Sequence, residues 1–552
     1  MKVIASLIAV LCAATLTAQV SETIDVRIVN VEVTVTSKGG PVRGLTRDDF
    51  EIFEDGKPQS ITNFYISDEA RTVVTATARP GTPAAAAAAP AEPDPRYRRK
   101  VLVLVDNNHT TRHGRDTALR ALEAMINDRF HGNYEWSIGV IGRGVTLVLP
   151  LSSDKAAIHE ALEIIRRAGT RGEATSTFAG VTDRGGLNLK QTETGITGMN
   201  VFDRDYSERL AQAGASDDAE RVIAAKFTAP AIFDAARGFA STSGRKIVFF
   251  LTGDPGLNDI GLVSQGGGNG FGVRGVSTGN SNDRSNELWA DQKTIEELRK
   301  AIIHEANASD VSFYIWNVEG LKPMGDAGDP GSQTSSPGTN TSAIFWLANQ
   351  TGGRLVTGND PARAVQEFDT ASSTFYSLGY SPAHPDDGTY HAISVRLKQK
   401  SNYKLEYRTG YSSTPSATQL ERAMMSPTAA AMQQTGLPVT LAMGTPSTDK
   451  SEVTVPIEVK VPFRSLQFLP GKRGVAANLV VYVSVFDDIG KNLAATSIPL
   501  TPGFKTGAPD PNGMLVWHNK ITMTKGERNR VVVAIRDTVT DSIGMATQVV
   551  KF

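Results

Sequence analysis

The sequence predicts a multidomain protein in which a doubly wound α/β sheet domain is combined with all-β sandwich modules. Three observations carry this. Val101–Asp106 reads V-L-V-L-V-D, an unbroken apolar run of the kind that forms a strand buried on both faces of a parallel sheet. Beyond it, strand and helix patterns alternate. The strands are read at 101–105, 136–142, 145–149, 246–252, 311–317 and 354–356, and the helices at 115–130, 154–167, 217–243, 289–308, 341–350 and 361–374. Both flanks of this region have period two instead. In Ile24–Thr36, Val29, Val31, Val33 and Val35 face one way and Asn30, Glu32 and Thr34 the other, the pattern of a half-buried strand.

The elements follow in order. Residues 1–18 read as a secretory signal, with Lys2 as a minimal charged start and Val3–Leu16 as an apolar run too short to span a bilayer. Leu16 is large for the cleavage site, so an uncleaved anchor stays open as the alternative. Cys12, the one cysteine, lies in that run; the mature chain is expected to hold no disulfide and no thiolate site. Residues 20–75 form a small β module, with Phe50–Glu54 and Ser60–Phe64 joined through Asp55-Gly56, a strong hairpin signal. Residues 79–99 are a linker of prolines around Ala84–Ala89, extended and semi-rigid. The α/β domain spans 100–374. Gly142-Arg143-Gly144 makes one antiparallel pair at its edge, and polar, glycine-rich insertions interrupt it at 169–216 and 255–286. A further β segment, 375–411, offers about three strands, as does 20–75; neither is enough for a stable sandwich alone, so the two are expected to complete one domain around the α/β insert. A link at 412–435 leads to 436–552, with strands at 453–461, 477–486, 514–523, 529–536 and 545–551, the spacing of an immunoglobulin-like sandwich without its cysteine pair.

At 552 residues the chain is too long for one core. Its 57 basic and 58 acidic residues leave a net charge of −1, which gives no footprint for nucleic acid. No segment after the signal is apolar enough to span a membrane.

The chemistry-bearing residues are few. Asp106 ends the first sheet strand, where ligands bind in open α/β sheets, and Asp106, Asn108 and Thr110 offer alternating oxygens of the kind Mg²⁺ and Ca²⁺ take. The alternative is that they cap the next helix and satisfy loop amides. His109 and His113 have an i, i+4 spacing but no third soft ligand. The glycines at 266–272 lie about fifteen residues before a helix, too far for a phosphate loop. No G-x-S-x-G or H-E-x-x-H occurs. Asp48-Asp49 and Asp386-Asp387 fall in turns, where Asp serves the backbone. Tyr376, Tyr380, Tyr390, Tyr403, Tyr407 and Tyr411 read as sandwich packing with hydroxyls at the rim.

Three blocks carry a family resemblance. They are V-E-V-T-V-T with P-V-R-G-L-T-R-D-D-F-E-I-F-E-D-G-K-P-Q (31–59), the stretch from V-L-V-L-V-D to K-I-V-F-F-L-T-G-D, and F-Y-S-L-G-Y-S-P with D-G-T-Y-H-A-I-S-V and Y-R-T-G-Y (375–411). Together they resemble the bacterial VWFA-related secreted proteins of acidobacterial type. The resemblance implies a von Willebrand factor type A (vWA) domain with a Rossmann-like sheet, which binds protein ligands through a metal-ion-dependent adhesion site. There the first motif is D-x-S-x-S; here it is D-x-N-x-T, mapping to Asp106, Asn108 and Thr110. Aligning Phe233-Asp234-Ala235 with the family's Y-D-A puts Pro230 at its later threonine, with Thr228 out of register. The family's L-T-D-G becomes Leu251-Thr252-Gly253-Asp254, the acid one place late. The implied site is therefore degenerate (Asp106, Asn108, Thr110, Asp254), with weak Mg²⁺ or Ca²⁺ or no cofactor. The implied function is protein–protein interaction or adhesion by an exported, non-enzymatic protein. The alternatives are a cell-envelope enzyme with an unrecognised site and an inert scaffold.

Overall fold

The structure, a computed structural model, describes residues 28–74, 98–128, 134–169, 217–257, 281–319, 342–356 and 360–551, with short interruptions such as 39, 69–70, 254 and 433–435. The signal segment, linker residues 79–97, nearly all of both insertions and Asp254 lie outside the described residues.

Strand Arg99–Asp106 lies inside a six-stranded sheet. Across the sheet the order is Leu355–Val356, Val311–Asn317, Arg245–Thr252, Arg99–Asp106, Tyr134–Ile141, Val145–Ser152. The first five are parallel and the last is antiparallel to its neighbour. In chain order this is 3-2-1-4-5-6, so connections diverge between Asp106 and Thr252. The strands lack polar alternation because both faces are covered. Leu102, Leu104, Val248 and Phe250 pack in one core with residues of helices Asp217–Arg237, Ser281–Ala308 and Ser342–Gln350. Val101, Val103, Val105, Ile247 and Phe249 pack in the other with residues of Arg112–Asp128, Lys155–Arg167 and Pro361–Ser373. Each such buried side chain stabilises by about 1.5–3 kcal/mol, and a carboxylate at Val103 would break this layer. Asp154 and Asp360 cap two of the helices, accepting from the N–H of Ala156 and of Ala362. The first strand begins at Arg99, inside the stretch read as linker: Arg99 is buried, donating to the Tyr134 hydroxyl at 2.9 Å and to Ser67 Oγ at 2.7 Å.

The flanking β segments pair with one another. Phe375–Tyr380 lies between Val29–Ser37 and Ile61–Asp68, with Val31 opposite Leu378 and Leu378 opposite Phe64. Phe50–Glu54 pairs with Tyr390–Leu397. The shared core joins Val31, Val33, Phe50 and Ile52 to Tyr376, Leu378, Ile393 and Val395. The hairpin partner of Phe50–Glu54 is Lys57–Gln59, a correction to the reading of Ser60–Phe64. Asp55 and Gly56 both have positive φ, 47° and 78°; a two-residue turn of this kind pairs Glu54 directly with Lys57.

A charged seam joins the β module to the α/β unit. Glu32 Oε2 meets Arg245 Nε at 2.9 Å, and Arg408 NH1 meets Asp310 Oδ1 at 2.8 Å. Arg354 grips Glu406 with Nε–Oε1 3.0 Å and NH2–Oε2 2.7 Å. Burial raises the Glu32 pKa despite Arg245.

The C-terminal region is all β. Glu452–Pro462 pairs with Met514–Thr524, and a second sheet orders Asn492–Leu500, Leu479–Phe486, Arg528–Asp537 and Ile543–Lys551. Its core includes Val455, Val459, Val481 and Val533. The stretch 416–432 between β regions is packed on both sides: Leu420 and Met424 join Tyr482, Phe486 and Val532, while Met432 enters the α/β core. No described helix is long and apolar enough to cross a membrane.

Candidate functional site

Asp106 sits at the divergence point, fully buried. Its Oδ1 accepts the backbone N–H of Asn108 at 3.0 Å and of His109 at 3.2 Å. Its Oδ2 accepts Thr252 Oγ1 at 2.7 Å and faces His109 Nδ1 at 2.8 Å. A carboxylate offers roughly four acceptor sites, so protein donors take them all. The Thr110 hydroxyl is turned back on its own turn, donating to the Asp106 carbonyl at 2.6 Å. Asn108 Nδ2 donates to the Gly142 carbonyl at 2.8 Å, while Asn108 Oδ1 is buried without a partner. Of the described oxygens assigned to a cation, both Asp106 carboxylate oxygens are taken by donors, while the Asn108 amide oxygen accepts nothing and the Thr110 hydroxyl spends only its proton. Mg²⁺ needs a near-octahedral oxygen set, and the described residues, with both Asp106 oxygens filled by donors, do not supply one.

Three residues the sequence did not single out shape this end. Thr252 bridges the two diverging strands. Glu319, just past strand Val311–Asn317, reaches the start of helix Arg112–Asp128, accepting Thr111 N–H at 2.7 Å and Thr111 Oγ1 at 3.2 Å; an acid following a sheet strand was the available signal. Arg115, fully buried, donates to Asn107 Oδ1 at 3.2 Å and to the Ala168 carbonyl at 2.8 Å. Gly253 is obligatory for the close packing: a Cβ there would stand 2.2 Å from the His109 carbonyl oxygen and 2.8 Å from Glu319 Cγ. The outer rim carries exposed Arg112 and His113.

The remaining aligned positions lie in helix Asp217–Arg237. Pro230 is exposed and Thr228 fully buried, its hydroxyl without a partner. Burial raises the Asp234 carboxyl to about 7, with Arg237 opposing and Glu305 reinforcing the rise. The Asp234 carbonyl accepts Ser426 Oγ at 2.9 Å, so this helix end serves the join to 416–432.

A second cluster lies in the β module. Glu54 Oε2 accepts the hydroxyls of Tyr380 and Tyr411, the latter at 2.8 Å, and Glu54 Oε1 is 3.1 Å from His384 Nε2. His391 Nδ1 lies 2.8 Å from Asp55 Oδ2, and its Nε2 lies 2.9 Å from Thr389 Oγ1 and 3.4 Å from Asp387 Oδ1. Burial opposes charge on His391, but the hydrogen bonds it donates to Asp55 and Asp387, with their negative charges, outweigh it and its pKa is raised. Hydrogen bonds from the Thr389 N–H and hydroxyl hold the Asp387 carboxyl down at about 2. The imidazoles of His384 and His391 stack at 4.0 Å. One ligand atom from each of Glu54, His384 and His391 lies within 4.8 Å of the others. In sequence these residues are split between the D-G hairpin and an Asp-Asp-Gly turn more than 300 positions later, each with a sufficient local role. The tyrosine reading needs amending too: Tyr380 and Tyr411 are buried with their hydroxyls on Glu54, not at a rim.

Two grooves, of about 460 and 340 Å³, lie elsewhere, one between Arg112–Asp128 and Pro361–Ser373 and one on the β module beside Leu45 and Phe64. Neither is lined by Asp106 or a histidine.

No family model matches the chain, and no curated protein matches it. Among solved structures it is similar to an aerotolerance-related membrane protein from Bacteroides fragilis, at 13% identity and a TM-score of 0.24, over 49% of this chain and 97% of that one. It is also similar to proximal thread matrix protein 1 from the mussel byssus, at 10% identity and 0.19, over 50% of this chain and 47% of that one; another structure of that protein is described as having a zinc-occupied MIDAS motif. A third is β-glucuronidase 2 from Bacteroides uniformis, at 11% and 0.15, over 32% of this chain and 19% of that one. Likenesses this slight leave the functional reading to the geometry.

Proposed function

We propose that this is an exported binding protein whose α/β unit is a vWA-like, Rossmann-like domain, and that it engages a protein partner through the carboxyl end of its sheet without a resident metal. The observation that carries the reading is the saturation of Asp106. Four protein donors stand where a cation would be ligated, and the 3-2-1-4-5-6 strand order supports this end as the binding edge. The test is capture of envelope proteins by the mature chain with and without EDTA, beside Arg112→Glu on the exposed rim. Capture of the same partner in both buffers, lost in Arg112→Glu, supports the proposal. Capture abolished by EDTA refutes the metal-free face, and capture indifferent to Arg112→Glu and to His113→Glu refutes this end as the contact surface.

A further inference from the structure

We propose that Glu54, His384 and His391 form a site for one divalent transition metal of the zinc class, tying together the two chain segments of the β module. The proposal is independent of the reading of the Asp106 end. Two imidazoles and a carboxylate oxygen are the donors that zinc and its neighbours accept, and Mg²⁺ and Ca²⁺ avoid imidazole. Glu54 Oε1 and His384 Nε2 are 3.1 Å apart, close to the roughly 3.3 Å edge of a tetrahedron with bonds of about 2.0 Å.

The surroundings are those of a supported metal site. A ligating histidine usually gives its other ring nitrogen to a carboxylate. His391 has an acid near each nitrogen, Asp55 at Nδ1 and Asp387 at Nε2. Whichever of its nitrogens ligates the ion, the other keeps an acid, and the displaced carboxylate is placed to become a fourth ligand. Glu54 is oriented likewise: two tyrosine hydroxyls hold Oε2 and leave Oε1 facing His384. The face-to-face stacking sets the two rings side by side and not convergent. His384, with its side chain 25% exposed, is the ring with room to swing, whereas His391 at 10% is fixed. Glu54 ends one strand of the hairpin, and His384 and His391 lie beyond the α/β insert. An ion here would clip the two halves of the module across more than 300 residues.

The experiment is calorimetric titration of Zn²⁺ into the full mature chain prepared without a histidine tag, with Co²⁺ as a spectroscopic probe. The expected result is one site per chain, with Co²⁺ visible bands of a four-coordinate N/O set and no response to Mg²⁺. His384→Gln should weaken Zn²⁺ binding by about 100-fold or more, Asp55→Asn by about tenfold, and His113→Gln not at all. Absence of saturable Zn²⁺ binding overturns the proposal, as does equal affinity in wild type, His384→Gln and Glu54→Gln. Should His384→Gln not fold, X-ray absorption of the wild-type Zn²⁺ complex decides: two imidazole ligands support the site, and fewer overturn it.

Discussion

Replacing Asp106 with alanine separates a structural carboxylate from a metal ligand. The substitution strips acceptors from four donors: the N–H groups of Asn108 and His109, His109 Nδ1 and Thr252 Oγ1. A hydrogen bond to a charged acceptor contributes about 1.5–3 kcal/mol net. The losses do not simply add. Asn108 and His109 are half-buried, so water recovers part of theirs, whereas Thr252 is fully buried and its hydroxyl is orphaned. The expected cost is about 3–5 kcal/mol. Asp106→Asn should cost only about 1–2 kcal/mol, because its amide oxygen still accepts the two backbone N–H groups while Thr252 and His109 reverse their roles. Urea unfolding followed by tryptophan fluorescence measures the stability, and hydrogen exchange over 101–112 locates the loss. The reasoning is refuted if Asp106→Ala shifts stability by less than about 1 kcal/mol, or if Mg²⁺ raises the wild-type midpoint and not the variant's, the mark of a ligand bound through Asp106.

Other outcomes follow from buried groups elsewhere. The Asp234 carboxyl is raised from its ordinary 3.8 to about 7, so between about pH 4 and 7 the folded chain keeps a proton that the unfolded chain releases; stability should fall by roughly 2–4 kcal/mol as pH rises through that window and level off above it. Asp234→Asn should flatten this limb, as read by unfolding midpoints at pH 4.5 and 8. Arg354→Met leaves Glu406 buried with Lys404 as its remaining ion partner and should cost about 3 kcal/mol, measured by denaturant titration; an unchanged midpoint would contradict the buried pairing. Gly253→Ala forces the His109 turn to move and should cost about 2–3 kcal/mol, with faster exchange at residues 107–111, where unaltered exchange would argue against the close approach.

The central strands were legible because their burial leaves a one-sided composition. Val101–Val105 and Ile247–Leu251 are wholly buried, and a sheet interior covered by helices on both faces accommodates such runs. Strand Asn492–Leu500 was missed for the opposite reason. It is an edge strand lying mostly exposed beside Leu479–Phe486, so no apolar period marks it. Helix starts drifted by up to about two turns where the first residues are polar, as at Ser281, read as starting at 289. At the sheet end, Asp106 was visible as a terminal acid, but its four donors come partly from backbone and partly from Thr252, 146 positions away. The Glu54 cluster was illegible since its acids and histidines meet only after the β segments pair.

The pairing of 29–37 with both 375–380 and 404–406 also fixes how the chain carries tension. A pull applied at the amino end and resisted at the C-terminal sandwich enters strand Val29–Ser37 and leaves through Gly410–Ser412 into 416–432. It crosses hydrogen-bonded ladders of the β module in between. The α/β unit hangs beside that route as a closed loop whose two ends meet the same module. Both ends of that loop are therefore held by the module's ladders, and the strands of the α/β sheet lie outside the route of the pull through those ladders.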